Sequence, residues 1–348
     1  FMGNTNNFKT TIDEFVNDLE NGLKTVSRAI IYVQKLMKRK RFTIWKYEGI
    51  SIKPFKNYEE IKEYKLYPNY FDRIEVVDPG FINFYFSSRY LQDQIKTTLL
   101  EKDKFGSNNQ GKNEKVQVEF ISANPTGPLT VGNSRGGVIG DVLSNILSAS
   151  NYQVTREYYF NDVGGQIDAL GHSVLKDNQA EYQGEYINEL HKKITTDDYQ
   201  QAGQQAAKLL IKEIKKTTQN MGIKYNVWFA EGKDLREKGK VEKIIQWMLE
   251  KKLAYKKEGA VWFKSKEFGG DDKDRVVVRT NGEPTYFGVD CAYHFNKFEE
   301  RKFDKVINIW GADHHGDVAR VKGFVKSIGH QDNFDIILHQ FVRVIKDG

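Results

Sequence analysis

Residues 116 to 141 constrain the fold more than any other stretch, because a strand-like run there breaks into a Gly/Pro loop and then becomes a helix. The strand is predicted by the apolar residues Val116, Val118, Phe120 and Ile121. Turn residues over 124–128 interrupt it. A helical rhythm follows at Val138, Asp141, Val142, Asn145, Ile146 and Ala149. This layout predicts a phosphate cradle at the start of a helix.

Three glycines in this stretch, Gly132, Gly136 and Gly137, are expected to let a ligand approach the backbone closely. The positive end of the helix dipole favours a polyphosphate, and ATP is the natural candidate. Two common phosphate motifs are excluded. The sequence contains no GxxxxGK[ST], and its glycines do not fit a GxGxxG pattern with an acidic residue placed for a ribose.

The segment 118–129, VEFISANPTGPL, resembles the ATP-binding HIGH signature of class I aminoacyl-tRNA synthetases in its arginyl-tRNA synthetase version. Three more blocks resemble that family, namely DPGFINFYF at 78–86, TYFGVDCAYH at 285–294 and WGADHHG at 310–316. The resemblance implies an α/β fold: a Rossmann-like doubly wound parallel sheet with a helical insertion and an N-terminal α+β domain. The residues themselves predict a right-handed βαβ unit over 116–160 and charged helices over 187–250.

Length and composition favour more than one domain. A chain of 348 residues with 39% hydrophobic residues exceeds one compact core, and the polar stretch 104–113 is the clearest boundary. We therefore expect a tRNA-contacting α+β domain over 1–112, with a helix predicted over 11–38. A catalytic nucleotide-binding domain is expected over 113–348, interrupted by a connective insertion over 176–274.

The charge balance permits a nucleic-acid partner without requiring one. The formal net charge is +6, and the basic run 38–41 is as typical of a solvated helix end as of an RNA contact. A single cysteine, Cys291, rules out an internal disulfide and indicates a reducing compartment. No apolar run is long enough for a membrane span or signal core. We expect a soluble, cytoplasmic monomer.

Carboxylates bind a guanidinium through short bidentate bonds, so Glu119 and Asp290 are candidates for an arginine site, with Tyr286 as an aromatic wall. By residue type alone, Asp290 is also typical of a helix start and Glu119 of a strand's solvent face. The resemblance assigns arginine binding to Glu119, Ser122, Asn124, Tyr286 and Asp290. It places the substrate's amino group on Asn124.

The resemblance assigns catalysis to Thr130, Gly132 and Asn133. It assigns ATP binding to Pro125, Gly127, Leu129, Gly132, Asn133, Gly311, Asp313 and His314, with Asp313 and His314 on the ribose and adenine. Thr130 stands where the family has His. Neither Thr130 nor Asn133 carries a positive charge, so we expect weaker stabilisation of the α-phosphate than an imidazolium provides.

His314 and His315 could suggest a metal site, but neighbouring histidines on a helix point about 100° apart and lack the i, i+4 spacing of a zinc pair. No metal site is predicted. Ligand contact at the end of a strand is better supported for this segment. For His315, packing in the core is an equal alternative.

The segment 342–348, VRVIKDG, resembles the run that precedes the KMSKS loop and the anticodon-binding domain of the family. We therefore expect a truncated form that is weak or inactive in adenylation. The predicted function is arginine–tRNA ligase, which joins arginine to ATP, with Mg²⁺, as arginyl-adenylate and transfers it to tRNA(Arg). One alternative is a non-catalytic tRNA- or nucleotide-binding paralogue. The other, a small-molecule nucleotidyltransferase, fits the ATP loop but not the Tyr286/Asp290 block.

Overall fold

The computed structural model describes residues 45–48, 51–54, 70–77, 81–269, 271–340 and 342. By its internal contacts the chain divides into two compact units, with the division between Ser107 and Asn108. The helix expected over 11–38, the basic run 38–41 and all but one residue of 342–348 lie outside the described residues. The tRNA-contacting role of the first unit stays a prediction.

The described part of the first unit holds two antiparallel strand pairs and one helix. In chain order these are β1 (Trp45–Glu48), β2 (Ser51–Pro54), β3 (Phe71–Val77), β4 (Phe81–Phe86) and α1 (Ser88–Glu101). Ser87 caps α1, because its hydroxyl accepts a hydrogen bond from the Tyr90 amide at 3.1 Å.

The second unit contains the remaining strands and helices. In chain order they are β5 (Lys115–Glu119), α2 (Val131–Ala149), β6 (Gln153–Phe160), α3 (Gly165–Leu175), α4 (Glu185–His191), α5 (Tyr199–Asn220), β7 (Val227–Ala230), α6 (Lys240–Glu250), β8 (Ala254–Lys257), β9 (Ala260–Phe263), β10 (Arg275–Val278), α7 (Tyr286–Phe295), β11 (Lys305–Gly311), α8 (His315–Ser327) and β12 (Phe334–His339). Two π-helical turns follow β7 and α7, at Gly232–Arg236 and Asn296–Glu300.

Five parallel strands form the central sheet, in the order β12-β11-β5-β6-β7. One face packs against α2 through a cluster that includes Val116, Val118 and Phe120. The other face packs under α6, α7 and α8 through a cluster that includes Val306, Phe324 and Phe334. Helices on both faces of a parallel sheet confirm the predicted doubly wound α/β fold.

The predicted helical insertion over 176–274 is more mixed than expected. It contains α4, α5 and α6, but β7 lies within it and pairs with β6 as an edge strand of the central sheet. Strands β8 and β9 pair with β10 in a separate antiparallel sheet. The run Val227–Ala230 was missed because four apolar residues between charged helices carry too little periodicity to indicate a strand.

Helix α2 presents a different face to the core than its apolar rhythm predicts. Val138, Val142 and Ile146 are 57%, 50% and 58% exposed. The buried positions are Gly136, Gly137, Gly140 and Ser144. A Cβ on Gly140 would lie 2.1 Å from Cγ of Phe120, so α2 approaches β5 closely there, with the apolar residues Ile139, Leu143 and Leu147 packed beside this contact.

Among the described residues, none of the helices combines the length and the apolar character needed to cross a membrane.

Candidate active site at the carboxyl ends of the parallel strands

A cleft of about 920 Å³ opens where β5, β6 and β11 end. The segment after β5, the start of α2, the start of α7 and the loop after β11 line it. In open parallel sheets, ligands bind at this edge, where the chain leaves neighbouring strands in opposite directions. The predicted residues that share this cleft are Glu119, Ser122, Asn124, Thr130, Gly132, Asn133, Tyr286, Asp290, Gly311, Asp313 and His314.

The backbone after β5 is strained where it enters the cleft. Ile121 and Ser122 have φ values of 66° and 46°, and a β-branched residue rarely adopts such a conformation. The hydroxyl of Ser122 accepts a hydrogen bond from the Tyr159 amide at 3.1 Å, which ties this turn to β6. Strain held by neighbouring structure is typical of binding sites.

Asn124 is fixed at both ends of its side-chain amide. Its Oδ1 accepts a hydrogen bond from the Asn161 amide at 3.0 Å, and its Nδ2 donates to Oε1 of Gln166 at 2.7 Å. The side chain therefore has a set orientation on the cleft wall. Its expected contact with a substrate amino group stays a prediction.

Thr130 and Asn133 form the N-terminal cap of α2. The Thr130 amide and hydroxyl both donate to Oδ1 of Asn133 at 2.8 Å, and the Asn133 amide donates to the Thr130 hydroxyl at 3.4 Å. This is a capping box, whose available sequence signal was Thr followed three residues later by an amide side chain. Both residues line the cleft as neutral hydrogen-bonding groups.

The glycines of the loop divide into two kinds. Gly132 lines the cleft, and a Cβ there would meet only the Thr130 hydroxyl, at 3.5 Å. Gly136 and Gly137 are buried, and a Cβ on either would come within 2.9 Å of His339 or Ile121 respectively. The prediction that these two glycines admit a ligand is wrong, since protein side chains occupy that space.

Three predicted ATP-binding residues are not in the cleft lining. Pro125 is buried. Gly127 faces Tyr186, whose hydroxyl donates to the Thr126 carbonyl at 3.1 Å. Leu129 packs against the apolar cluster that contains Phe160. Their place in the sequence signature therefore reflects the path of the loop, which the apolar contacts fix.

Asp290 lies on the second turn of α7 and lines the cleft. Its carboxylate has neither a hydrogen bond nor an ion pair with any described residue. Burial, together with the nearby acids Asp317, Glu231 and Glu119, raises the pKa of Asp290 to about 8, although Lys297 acts in the opposite direction. Tyr286, one turn earlier, is 66% exposed at the cleft mouth.

Glu119 is buried, so its interpretation as a solvent-facing strand residue is wrong. The Nζ of Lys297 donates to Oε2 of Glu119 at 2.6 Å and to Oδ1 of Asn308 at 2.9 Å. Lys297 is itself fully buried. Glu119 therefore reaches the cleft as half of an ion pair, while Asp290 reaches it as an unpaired acid.

Asp313 and His314 lie in the short 3-10 turn after β11 and are 56% and 57% exposed at the side chain. The His314 Nε2 lies 3.6 Å from Oδ2 of Asp313, and its ring lies 5.8 Å from that of Trp310. His315 is exposed, so core packing is wrong for it. Exposed side chains around a strand end leave room for a ligand.

The model of the tRNA synthetases class I (R) catalytic domain matches residues 94–201 and 185–348. The chain belongs to this family. It is 44% identical over 303 residues to an arginine–tRNA ligase of Caldanaerobacter subterraneus subsp. tengcongensis, covering 80% of this chain and 54% of that protein. The arginine–tRNA ligase of Acetivibrio thermocellus is 41% identical over 314 residues, with shares of 83% and 55%.

Solved structures agree with the family. A Campylobacter jejuni protein described as an arginyl-tRNA synthetase has a TM-score of 0.66 and 33% identity, with 75% of this chain and 62% of that chain covered. Thermus thermophilus arginyl-tRNA synthetase, at 19% identity, shows the shared fold with a TM-score of 0.59, covering 81% and 56%. The chain spans about half the length of the curated relatives it matches.

Several charged residues of this class I synthetase cleft were missed from the sequence. Arg275 and Arg320 line it, and Asp271 holds both, with its Oδ2 at 2.6 Å and 3.2 Å from their Nε atoms. The hydrogen bond from Arg275 is the largest cause lowering the pKa of Asp271 below its usual range. Only the i, i+4 spacing of Asp271 and Arg275 hinted at this cluster, since Arg320 lies far away in sequence.

Within the part of the chain that the structure describes, no three His, Cys, Asp or Glu side chains are grouped to hold a metal ion. We therefore assign no protein ligand to Mg²⁺.

Proposed function

We propose that this synthetase chain activates arginine with ATP to form arginyl-adenylate and transfers the arginyl group to tRNA(Arg). The observation that carries the proposal is the unpaired carboxylate of Asp290 in the cleft at the strand ends. A guanidinium is the natural partner for a half-buried acid that has no cation of its own. The arginine–tRNA ligases among its relatives support the same substrate.

In the first step, a carboxylate oxygen of arginine attacks the α-phosphorus of ATP, an O–P bond forms, and pyrophosphate leaves with its electron pair. In the second step, the 2′-hydroxyl of the terminal adenosine of the tRNA attacks the carbonyl carbon, and AMP leaves. Neither step forms a bond to the protein. The protein's contribution is to hold the reacting groups in line and to stabilise charge.

Each part of the cleft has a role in this proposal. Asp290 and Oε1 of Glu119 receive the guanidinium, Tyr286 covers it at the mouth, and Asn124 orients the amino group. The adenosine lies against Gly311, Asp313 and His314, while the cap of α2 at Thr130, Gly132 and Asn133 faces the α-phosphate. Thr130, Gly132 and Asn133 are neutral and do not offset the negative charge of the phosphates. Mg²⁺ would offset that charge as the counterion of the polyphosphate.

The test is arginine-dependent release of AMP or pyrophosphate in the presence of tRNA(Arg), compared between wild type and Asp290→Asn. We expect the signal to require arginine and to fall at least 100-fold in the variant, because a neutral amide loses the charge-assisted bonds. The matched control is Asp332→Asn, an exposed aspartate, which should behave as wild type. Turnover that does not depend on arginine would contradict the proposal.

One observation favours a second function, that of a non-catalytic paralogue. Thr130 and Asn133 are neutral and engaged with each other, so the α2 cap offers the α-phosphate no cation. The same assay, together with calorimetric titration of arginine and ATP, separates the two functions. Saturable arginine and ATP binding without AMP release identifies the paralogue, whereas arginine-dependent AMP release identifies the ligase.

A further inference from the structure

A row of three buried polar residues crosses the central sheet beneath the cleft. Asn308 on β11, Glu119 on β5 and Glu157 on β6 are direct partners across neighbouring parallel strands. They are 0%, 4% and 0% exposed. Two carboxylates side by side in a sheet repel one another unless each has a cation.

The segment after α7 supplies both cations. The π-helical turn Asn296–Glu300 carries Lys297 into the sheet, where its Nζ bonds to Glu119 and Asn308 and lies 4.2 Å from the centre of the Tyr293 ring. Arg301 then binds Glu157 through two bonds of 2.6 Å and 3.0 Å. Such π-helical turns often occur at functional sites because they redirect a side chain.

The contacts of Lys297 continue to the backbone of Asp290. Nδ2 of Asn308 lies 3.0 Å from Nε2 of His294, and Nδ1 of His294 lies 2.8 Å from the Asp290 carbonyl oxygen. The carbonyl can only accept, so Nδ1 carries the proton and Nε2 accepts from the amide. Burial lowers the pKa of His294 and keeps the ring neutral.

Lys297 therefore contacts the Glu119 carboxylate directly and is linked through Asn308 and His294 to the backbone carbonyl of Asp290. Its bond occupies Oε2 of Glu119 and leaves Oε1 without a hydrogen-bond partner among the described residues. The Lys297–Glu119 pair is neutral in sum, so the negative charge that meets a guanidinium comes from Asp290, which ionises when the cation binds. One negative charge matches one guanidinium.

We propose that Lys297 is a positioning residue of the arginine site, which orients the Glu119 carboxylate and leaves Asp290 as the charged partner of the substrate. This inference rests on the proposed function, because it takes arginine as the ligand. Lys297 acts through Glu119 and Asn308 and does not touch the substrate.

The experiment is a double-mutant cycle on the 348-residue chain, with wild type, Lys297→Met, Glu119→Gln and the double variant. Arginine and ATP dissociation constants are measured by calorimetry, and circular dichroism monitors folding. We expect Lys297→Met to weaken arginine binding at least tenfold with ATP binding within twofold. If the two residues acted independently, the fold-losses of affinity in the single variants would multiply in the double variant. We expect the double variant to bind arginine at least threefold more tightly than that product, because the residues act as a unit.

A matched control is Lys302→Met, the same substitution at a lysine whose side chain is 66% exposed, and it should leave both constants unchanged. If Lys297→Met fails to fold, the comparison moves to Asn308→Ser, which breaks the path to His294 and should also weaken arginine binding but not ATP binding. Arginine binding within twofold of wild type in a folded variant, or fully additive losses, would overturn the role of Lys297 alone. Absence of arginine binding by wild type would overturn both this role and the proposed function.

Discussion

The surroundings of Asp290 favour its protonated form, and a cationic ligand would favour its ionised form. Burial and the acids Asp317, Glu231 and Glu119 raise its pKa from 3.8 to about 8. A bound guanidinium favours the ionised form. Below the raised pKa, arginine binding therefore releases a proton from Asp290.

We predict that arginine binds more tightly as the pH rises from about 6 to about 9, since fewer molecules then have to lose that proton. Calorimetry in two buffers of different ionisation enthalpy counts the protons released. Asp290→Asn should abolish both the release and the pH dependence. A pH-independent affinity with no proton release in wild type would show that Asp290 does not face the guanidinium.

The same acid lowers the stability of the free protein at neutral pH. Its folded-state pKa lies above its unfolded value, so the destabilisation is absent below about pH 4 and grows as the pH rises towards about 8. We predict that Asp290→Asn melts at a higher temperature than wild type near pH 7.5 and at the same temperature near pH 4. A variant that is less stable at neutral pH would show that Asp290 has a stabilising partner.

Thr130 contributes to folding through the cap of α2. We predict that Thr130→Ala lowers the free energy of unfolding by about 1 kcal/mol, because the Asn133 amide loses its acceptor. Thr130→Ser keeps the hydroxyl and is the control. Urea denaturation measures both variants, and equal stability of alanine and serine would mean that the capping box does not stabilise the helix.

At the scale of elements, α2 can lie close to the sheet because Gly140 has no side chain at the contact with Phe120. We predict that Gly140→Ala destabilises the fold by about 2 kcal/mol, because its Cβ would overlap the Phe120 ring and overpacking outweighs the gain in helix propensity. Gly165→Ala, at the start of α3 with nothing within 4 Å of its Cβ, is the matched control and should be neutral or stabilising. Equal thermal shifts for the two would refute the close-contact account.

The order of strands and helices could largely be predicted from sequence, whereas their faces could not. The strand–loop–helix pattern at 116–149 gave β5 and α2 correctly. The apolar residues Val138, Val142 and Ile146 of the predicted rhythm are exposed, whereas the side of α2 that meets the sheet buries Gly140 and Ser144. Strand β7 was not predicted, because its pairing with β6 depends on residues far away in sequence.

For the whole molecule, the division between the two units, at Ser107 and Asn108, lies inside the polar stretch 104–113 and a few residues before the expected domain limit at 112. Amides of Asn108 and Gly111 donate to carbonyls of Ala149 and Ser150 at the end of α2, at 3.0 Å and 2.7 Å. We predict that trypsin cleaves after Lys102 and Lys104 before it cleaves after Lys112, as followed by mass spectrometry. Initial cleavage after Lys112 would place the boundary inside 108–113.

The cleft could be predicted in part. The sequence motifs pointed to Asp290, Glu119 and the strand-end loops, all of which line the cleft. Lys297, Arg275 and Arg320 carry no such signature, since their roles depend on partners on other elements. In the sequence, Lys297 lies in a charged segment and is expected to be exposed to solvent. Its burial depends on the fold, which places Glu119 beside it.

In the proposed function, the synthetase cleft recognises arginine through the charge of Asp290. The most direct measurement is calorimetric titration of the chain with arginine and with citrulline, a neutral analogue of similar shape, for wild type and Asp290→Asn. We predict saturable binding of arginine to wild type, with citrulline and the variant each weaker at least 100-fold, because the charge-assisted bonds are lost. Equal binding of arginine and citrulline, or an unchanged affinity in Asp290→Asn, would contradict the account.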